Sequence, residues 1–164
     1  MSIDPKEYRR TIGLFATGVA VITARVDDVT HGMTVNPVTS VSLDPLLLLV
    51  CIGRRARMCR LIAGVQHFAI NILSAHQEDV SRHFAGQSQD YVPLAFKDVN
   101  GVPVLAETLA VLVCTIDRVL DGGDHIIVLG RVDHVARAAY DESPLLYYAG
   151  RYCQLEANTV PILG

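Results

Sequence analysis

No Cys-x-x-Cys pair, no long basic run and no membrane-length apolar stretch occurs in this chain. The four cysteines, Cys51, Cys59, Cys114 and Cys153, are scattered. Cys51 and Cys114 fall inside apolar, strand-like runs, where a reduced thiol behaves as a small hydrophobe. Buried thiols are therefore expected, rather than disulfides or a zinc site. A net charge of −3 and a pI near 6.0 argue against a nucleic-acid partner. The longest apolar runs, about 8 residues, fall far short of the roughly 20 that span a bilayer. The N-terminal "MSIDPKEYRR" is charged and has no apolar h-region, so it does not read as a signal peptide. The expectation is a cytoplasmic protein with no membrane partner.

Familiar catalytic signatures are missing as well. No Gly-x-Gly-x-x-Gly follows a strand, which removes the usual dinucleotide fingerprint. "GLFATGV" has two glycines at phosphate-loop spacing but lacks the Lys and Ser/Thr that should follow them. There is no His-Glu-x-x-His and no Gly-x-Ser-x-Gly. The six histidines are dispersed; His76 and His83 share an expected helix but stand seven apart, a poor geometry for a shared ligand. No metal site is expected.

Apolar residues are plentiful: 51% of the 164 residues, with only 19% charged and a mean hydropathy of +0.33. A chain of this size suits one domain, here 1–164, and buries roughly 70% of its unfolded surface. So apolar a chain also has surface to hide against a second copy, most simply in a two-fold homodimer.

Asp4 as N-cap and Pro5 at the first helical position predict a helix to about Leu14. Strands are expected at 18–26, 32–36, 39–43 and 46–52, with "DDVTHG" as the first turn. A helix is expected over 55–63 and a strand over 67–73. Ser74 and Gln77 read as a capping box for a helix closed by Gly86, with Val80 and Phe84 on its buried face. "QSQDYVPLAFKDVNGVPV" reads as a long polar loop. Residues 109–138 read as two long strands around Asp121-Gly122-Gly123, and 151–155 as a last strand. Many strands with few helices between them favour a mainly antiparallel barrel with peripheral helices over a doubly wound sheet.

Five segments remain that could carry chemistry. In "HGMTVNPVTSVSLDP" (31–45), hydroxyl residues alternate with valines around Asn36-Pro37, at the edge of an apolar run. "GRRARM" (53–58) puts three arginines at an expected strand-to-helix junction. "FAGQ" (84–87), "GDH" (123–125) and "YYAGRY" (147–152) complete the set. Alone, the first four have a plain structural account: an irregular strand pair, a solvated face, a helix end, a turn.

Together and in this order they resemble the flavin reductase-like, FMN-binding split-barrel family. "FATGVAVITA", "FAINILSAHQEDVSRHFAGQ", "GVPVL", "GDHIIVLGRV" and "PLLYYAGRYCQL" extend the likeness over nearly the whole chain. It is most similar to the small reductase components of two-component flavin-dependent monooxygenases, the phenol hydroxylase reductase type. The resemblance implies a mainly β, split-barrel homodimer that binds FAD or FMN, takes a hydride from NADH or NADPH, and supplies reduced flavin to a separate oxygenase. It implies flavin contacts at Thr34, Val35, Asn36, Pro37, Ser40 and Val41. The basic cluster, Gly53, Arg54, Arg55, Ala56, Arg57 and Met58, would meet phosphate, and Phe84, Ala85, Gly86 and Gln87 would close over the cofactor. His125, Tyr152 and Tyr148 are implied as nicotinamide contacts. The rings carry the hydride themselves, so no side chain is assigned a catalytic role. A flavin-storing or flavin-sensing barrel without turnover is the alternative from another class, and an apolar-ligand carrier is a third.

Overall fold

The computed structural model describes residues 3–88, 90–139 and 142–155. Asp4 opens the first helix as expected: its carboxylate accepts the Lys6 N–H at 3.0 Å, and Pro5 follows at the first helical position. This helix, α1, spans Pro5–Ile12, two residues short of Leu14, and buries none of its residues. Five strands follow: β1 (Thr17–Gly18), β2 (Ala20–Val26), β3 (Val29–Val35), β4 (Val38–Leu43) and β5 (Leu46–Gly53). Then come α2 (Arg57–Ile62), β6 (His67–Ile72) and α3 (Glu78–Phe84). A short hairpin of β7 (Phe96–Val99) and β8 (Val102–Leu105) precedes a long one of β9 (Ala110–Gly122) and β10 (His125–Arg137). The small strands β11 (Leu146–Tyr148) and β12 (Arg151–Cys153) come last. Asp27 and Asp28, at φ 49° and 59°, make the tight turn from β2 to β3, and only the first two residues of "DDVTHG" are needed for it.

Seven strands pair antiparallel in the order β3-β2-β6-β9-β10-β5-β4. The two edges of this sheet, β3 and β4, are consecutive in the chain, and Asn36 and Pro37 alone connect them. The sheet therefore curls until its edges lie beside one another with no ladder between them. The result is the expected mainly β split barrel, open along one seam.

Inside it, Ile22, Val50, Ile52, Phe68, Ile70, Cys114 and Val128 form the core, and α2 plugs one end with Met58 and Ile62. β2 and β6 are buried on both faces, which is why "VAVIT" and "FAI" read as unbroken apolar runs rather than as alternation. Outside the barrel, α3 covers Val19, Val21 and Leu73 with Val80 and Phe84, while β8 covers Ala69, Val111 and Val113 with Val102 and Val104.

Two expectations require correction. Residues 74–77 are not helical. Strand-like pairing runs on past β6: Leu73 bonds Val19 and Leu145, Ser74 bridges Pro144, and the Ala75 N–H reaches the Ser143 carbonyl at 2.8 Å. Gln77 does reach back to the Ser74 N–H at 2.9 Å, but the helix starts at Glu78 with Gln77 as its cap residue. The expected polar loop over 87–104 contains the β7–β8 hairpin, whose second strand is buried throughout. The Asn100-Gly101 turn and a buried asparagine explain it. Asn71, wholly buried, donates to the Val21 carbonyl and to Thr23 Oγ1, each at 2.9 Å, and accepts the Leu105 N–H at 2.8 Å. Thr23 in turn donates to the Pro103 carbonyl at 2.5 Å. The hairpin is thus fastened through groups that would otherwise be buried unpaired.

All four cysteines are free thiols, Cys114 buried and the others half-buried, in line with the reading of Cys51 and Cys114. Burial, reinforced by the negative charge of Asp133, pushes the Cys114 thiol up to about 12. Desolvation pushes Cys51 up as well. Among the described residues, no helix is long and apolar enough to cross a membrane.

The Asn71 network yields the first prediction. Asn71→Ala strands the buried Leu105 N–H and takes a bond from the Val21 carbonyl and from Thr23 Oγ1, which keeps its donation to Pro103, and the fold should lose about 3 kcal/mol, given 1–3 kcal/mol for each buried group left unpaired. Urea unfolding measures this; a loss under about 0.5 kcal/mol would mean the hairpin is held by apolar packing alone.

Candidate functional site

At the seam the chain cannot build normal sheet. Pro37 has no N–H to offer, its carbonyl accepts the Cys51 N–H at 3.2 Å, and the Val38 N–H turns back to the Asn36 carbonyl at 2.8 Å. The Asn36 amide is held by Thr17 Oγ1 at 3.2 Å. Beyond Pro37, Ser40 and Val41 are exposed, with an irregularity between Ser40 and Ser42 that leaves Val41 without a cross-strand partner. Thr34 is half-buried, and its hydroxyl donates to the Ser81 carbonyl on α3 at 2.7 Å. Val35 points into the core.

The basic cluster divides in two. Arg54 clamps the β9–β10 hairpin: its N–H reaches the Asp124 carbonyl at 2.9 Å, its Nε the Gly123 carbonyl at 2.8 Å, and it pairs with Asp121. Arg55 and Arg57 are exposed and, among the described residues, take part in no salt bridge. Ala56 is extended and caps α2, and Met58 lies in the core.

His125 begins β10 directly opposite Gly53. Its Nδ1 is 2.7 Å from Asp124 Oδ1. A carboxylate only accepts, so Nδ1 carries the hydrogen and Nε2 is left on the Gly53 side, 3.7 Å from where a Cβ of that glycine would stand. The hydrogen bond from His125, and then its charge, hold the Asp124 carboxyl below the usual carboxylate range.

Phe84 to Gln87 form the end of α3. The Gly86 N–H bonds the His83 carbonyl at 3.0 Å and the Gln87 N–H bonds that of Arg82 at 2.9 Å, with Gly86 at φ +69°, so the expected glycine stop is present. Phe84 packs on Gly32 of β3, where a Cβ would come within 2.4 Å of the ring. Tyr152 also belongs to this group. Its hydroxyl is 2.8 Å from Ser81 Oγ, its ring lies under the Arg82 guanidinium at 4.9 Å, and it meets Tyr147 edge-on at 5.2 Å. Tyr148 is exposed at the β11–β12 turn.

The predicted residues thus form a seam group with the His125 hairpin end, and an α3 group with Tyr152. Thr34 joins them through Ser81. No hydrogen bond or ring contact links His125 to Tyr152. Ser81 and Arg82 were not singled out from the sequence, and Asp124 and Gly32 lie in the candidate segments 123–125 and 31–45 without being assigned a contact of their own. Gly32 could have been, because a glycine inside a strand marks close approach of another group. Nothing in the sequence marks Arg82.

A family model described as "flavin reductase like domain" matches residues 12–156. The chain belongs to this family. It is 40% identical over 158 residues to an NADH-dependent flavin reductase of Rhodococcus sp, covering 94% of this chain and 88% of the relative. It is 35% identical over 157 residues to HsaB, the reductase subunit of a flavin-dependent monooxygenase in Mycobacterium tuberculosis, covering 94% and 84%. The solved structure of flavin reductase PheA2 in its native state is similar at a TM-score of 0.90 and 39% identity, over 94% of this chain and 99% of that one. Family membership and the split barrel both agree with the resemblance read from the sequence.

The histidine pair supplies the second prediction. Asp124 should titrate below the usual value of about 3.9. A depressed carboxyl contributes stability above its unfolded pKa and loses that contribution as pH falls through the folded one, so what the pairing contributes is present at neutral pH and declines as the medium is acidified below the ordinary carboxylate range. Carbon NMR of the Asp124 carboxyl tests this; a midpoint at or above the ordinary value would show that the pair does not persist in solution.

Proposed function

We propose that this chain is an NADH-dependent flavin reductase that accepts FAD or FMN and supplies the reduced flavin to a separate monooxygenase in the cytoplasm. The observation that carries this reading is the open seam of the barrel in a member of the flavin reductase family. The seam offers exposed hydroxyl and apolar groups side by side, with Arg55 and Arg57 nearby, which take part in no salt bridge among the described residues. That donor set fits the group the family implies: an amphipathic ring edge against Asn36, Pro37, Ser40 and Val41, and a phosphate or pyrophosphate at Arg55 and Arg57. Thr34, tied to α3, fixes the wall between seam and helix. Phe84 and the Schellman turn through Gln87 cover one side. Arg54 serves by holding the hairpin that carries His125.

When bound, the flavin supplies the site that accepts a hydride from NADH. The chain's own task is to hold two rings in register and exclude water. His125 has a fixed tautomer, with Nδ1 occupied by Asp124 and Nε2 free to meet the nicotinamide side of the donor. Tyr148 and Tyr152 belong to the same substrate side, on the other hairpin.

The protein is further proposed to be a homodimer. Register places Leu47, Leu49 and Cys51 of β5 on one outward face with Ile127 and Leu129 of β10 and Leu120 of β9. Such a stripe needs cover, and the composition supports a second copy as that cover. Light scattering should give twice 17.9 kDa, and Leu49→Arg should halve it. A wild-type monomer at micromolar concentration would contradict the dimer.

Two measurements test the reductase itself. With excess flavin under anaerobic conditions, NADH consumption should run past one equivalent per protein; a stop at one equivalent would favour storage or sensing. Arg55→Ala with Arg57→Ala should weaken FMN and FAD by roughly 2–4 kcal/mol and leave riboflavin nearly unaffected, since charge-assisted hydrogen bonds contribute about 1.5–3 kcal/mol each and seldom add fully. Unchanged FMN and FAD affinities would make the arginines a solvated face.

A further inference from the structure

A concavity of about 320 Å³ lies between the β7–β8 hairpin and the ends of β9 and β10. It is not part of the seam: none of its lining residues belongs to 31–45 or 53–58. It borders Arg137, the last residue of β10, whereas His125 is the first, and the 13-residue strand sets them roughly 40 Å apart along the chain. Its walls are apolar and recede. Val104 and Val111 form a buried floor, and Ala106, Ala110, Ala136 and Ala138 surround it with side chains of one carbon. Such a space takes a ligand with a flat apolar body, oriented by a few polar groups.

The charges on the lining decide which polar group that ligand carries. Lys97 pairs with Val104 across the hairpin, so it shares the face that Val99, Val102 and Val104 turn toward β9. A lysine is foreign to such a face, because its ammonium needs polar partners there. It donates to the Ala106 carbonyl at 3.1 Å, and its other two N–H groups donate to nothing else among the described residues. Arg137 brings a second cation from β10, and Glu107 one carboxylate. Among the described residues, none of the three takes part in a salt bridge. Two cations and one carboxylate leave a single net positive charge, which suits a monoanion better than a dianionic phosphate monoester.

We propose that this concavity binds a small aromatic monocarboxylate, with its ring on Val104 and Val111 among the alanines and its carboxylate at Lys97 and Arg137. The site is separate from the flavin seam, and nothing in its chemistry depends on the reductase reading. Its occupant would tie the outer hairpin to the ends of the two longest strands, so binding should also stabilise the fold.

The test titrates benzoate into the full-length protein and follows it by methyl NMR. The Val99, Val104 and Val111 signals should shift saturably at about millimolar benzoate, and neutral benzamide and ring-free acetate should each bind about tenfold more weakly. Lys97→Met keeps the stem and removes the charge; it should weaken benzoate about tenfold and leave benzamide unmoved. Ala136→Phe fills the space from an exposed position opposite Val111 and should abolish the shifts, with the urea midpoint unchanged. Both variants should reduce flavin as wild type does, because neither residue lies at the seam. Equal affinity for benzoate and benzamide, benzoate binding unmoved in both variants, or no saturable shift at the three valines overturns the proposal. Wild type that oxidises no NADH with any flavin would overturn the reductase reading alone.

Discussion

Everything in this structure turns on two residues that must join the opposite edges of one sheet. β3 and β4 are neighbours in sequence but the furthest apart in strand order, so the sheet has to curl for Asn36 and Pro37 to span the gap. Full closure would need a ladder at the junction. Pro37 has no donor for one, and the Asn36 carbonyl is taken by Val38. The barrel is therefore held open at the place where hydroxyls and valines interleave, and the same constraint that shapes the fold produces the candidate site.

Around that opening, rigidity comes from side chains that bond backbone. Thr34 holds α3 through the Ser81 carbonyl, and Arg54 holds the long hairpin through two carbonyls and a carboxylate. Asn71 does the same for the outer hairpin from inside the core. Each bond spans a long stretch of chain, so these residues fix elements whose own propensities are modest, such as the seven-residue α3.

Sequence reasoning reached the elements that local chemistry decides. The Gly-Gly turn between long apolar runs gave the β9–β10 hairpin, and Asp4-Pro5 gave α1. It failed where distant partners intervene. Residues 74–77 carry helix signals but are drawn into pairing with 143–145, which no local window reveals. Pro93 and Pro103 disguise β8, a strand whose burial depends on Asn71 and Thr23. Within the site, the seam and the basic junction were legible because their residue types are odd for a core edge. The grouping of Tyr152 with α3 was not, because it depends on how β12 folds back over Ser81 and Arg82.

The strand cysteines have a chemical consequence for a protein of this kind. Reduced flavin released into air reacts with dioxygen and generates peroxide. Peroxide attacks thiolates far faster than thiols. At cellular pH, Cys114 in the core, with its thiol near 12, remains protonated, and desolvation shifts the half-buried Cys51 in the same direction. Burial that serves packing thus also keeps the centre of the barrel chemically inert toward the by-product of its own turnover.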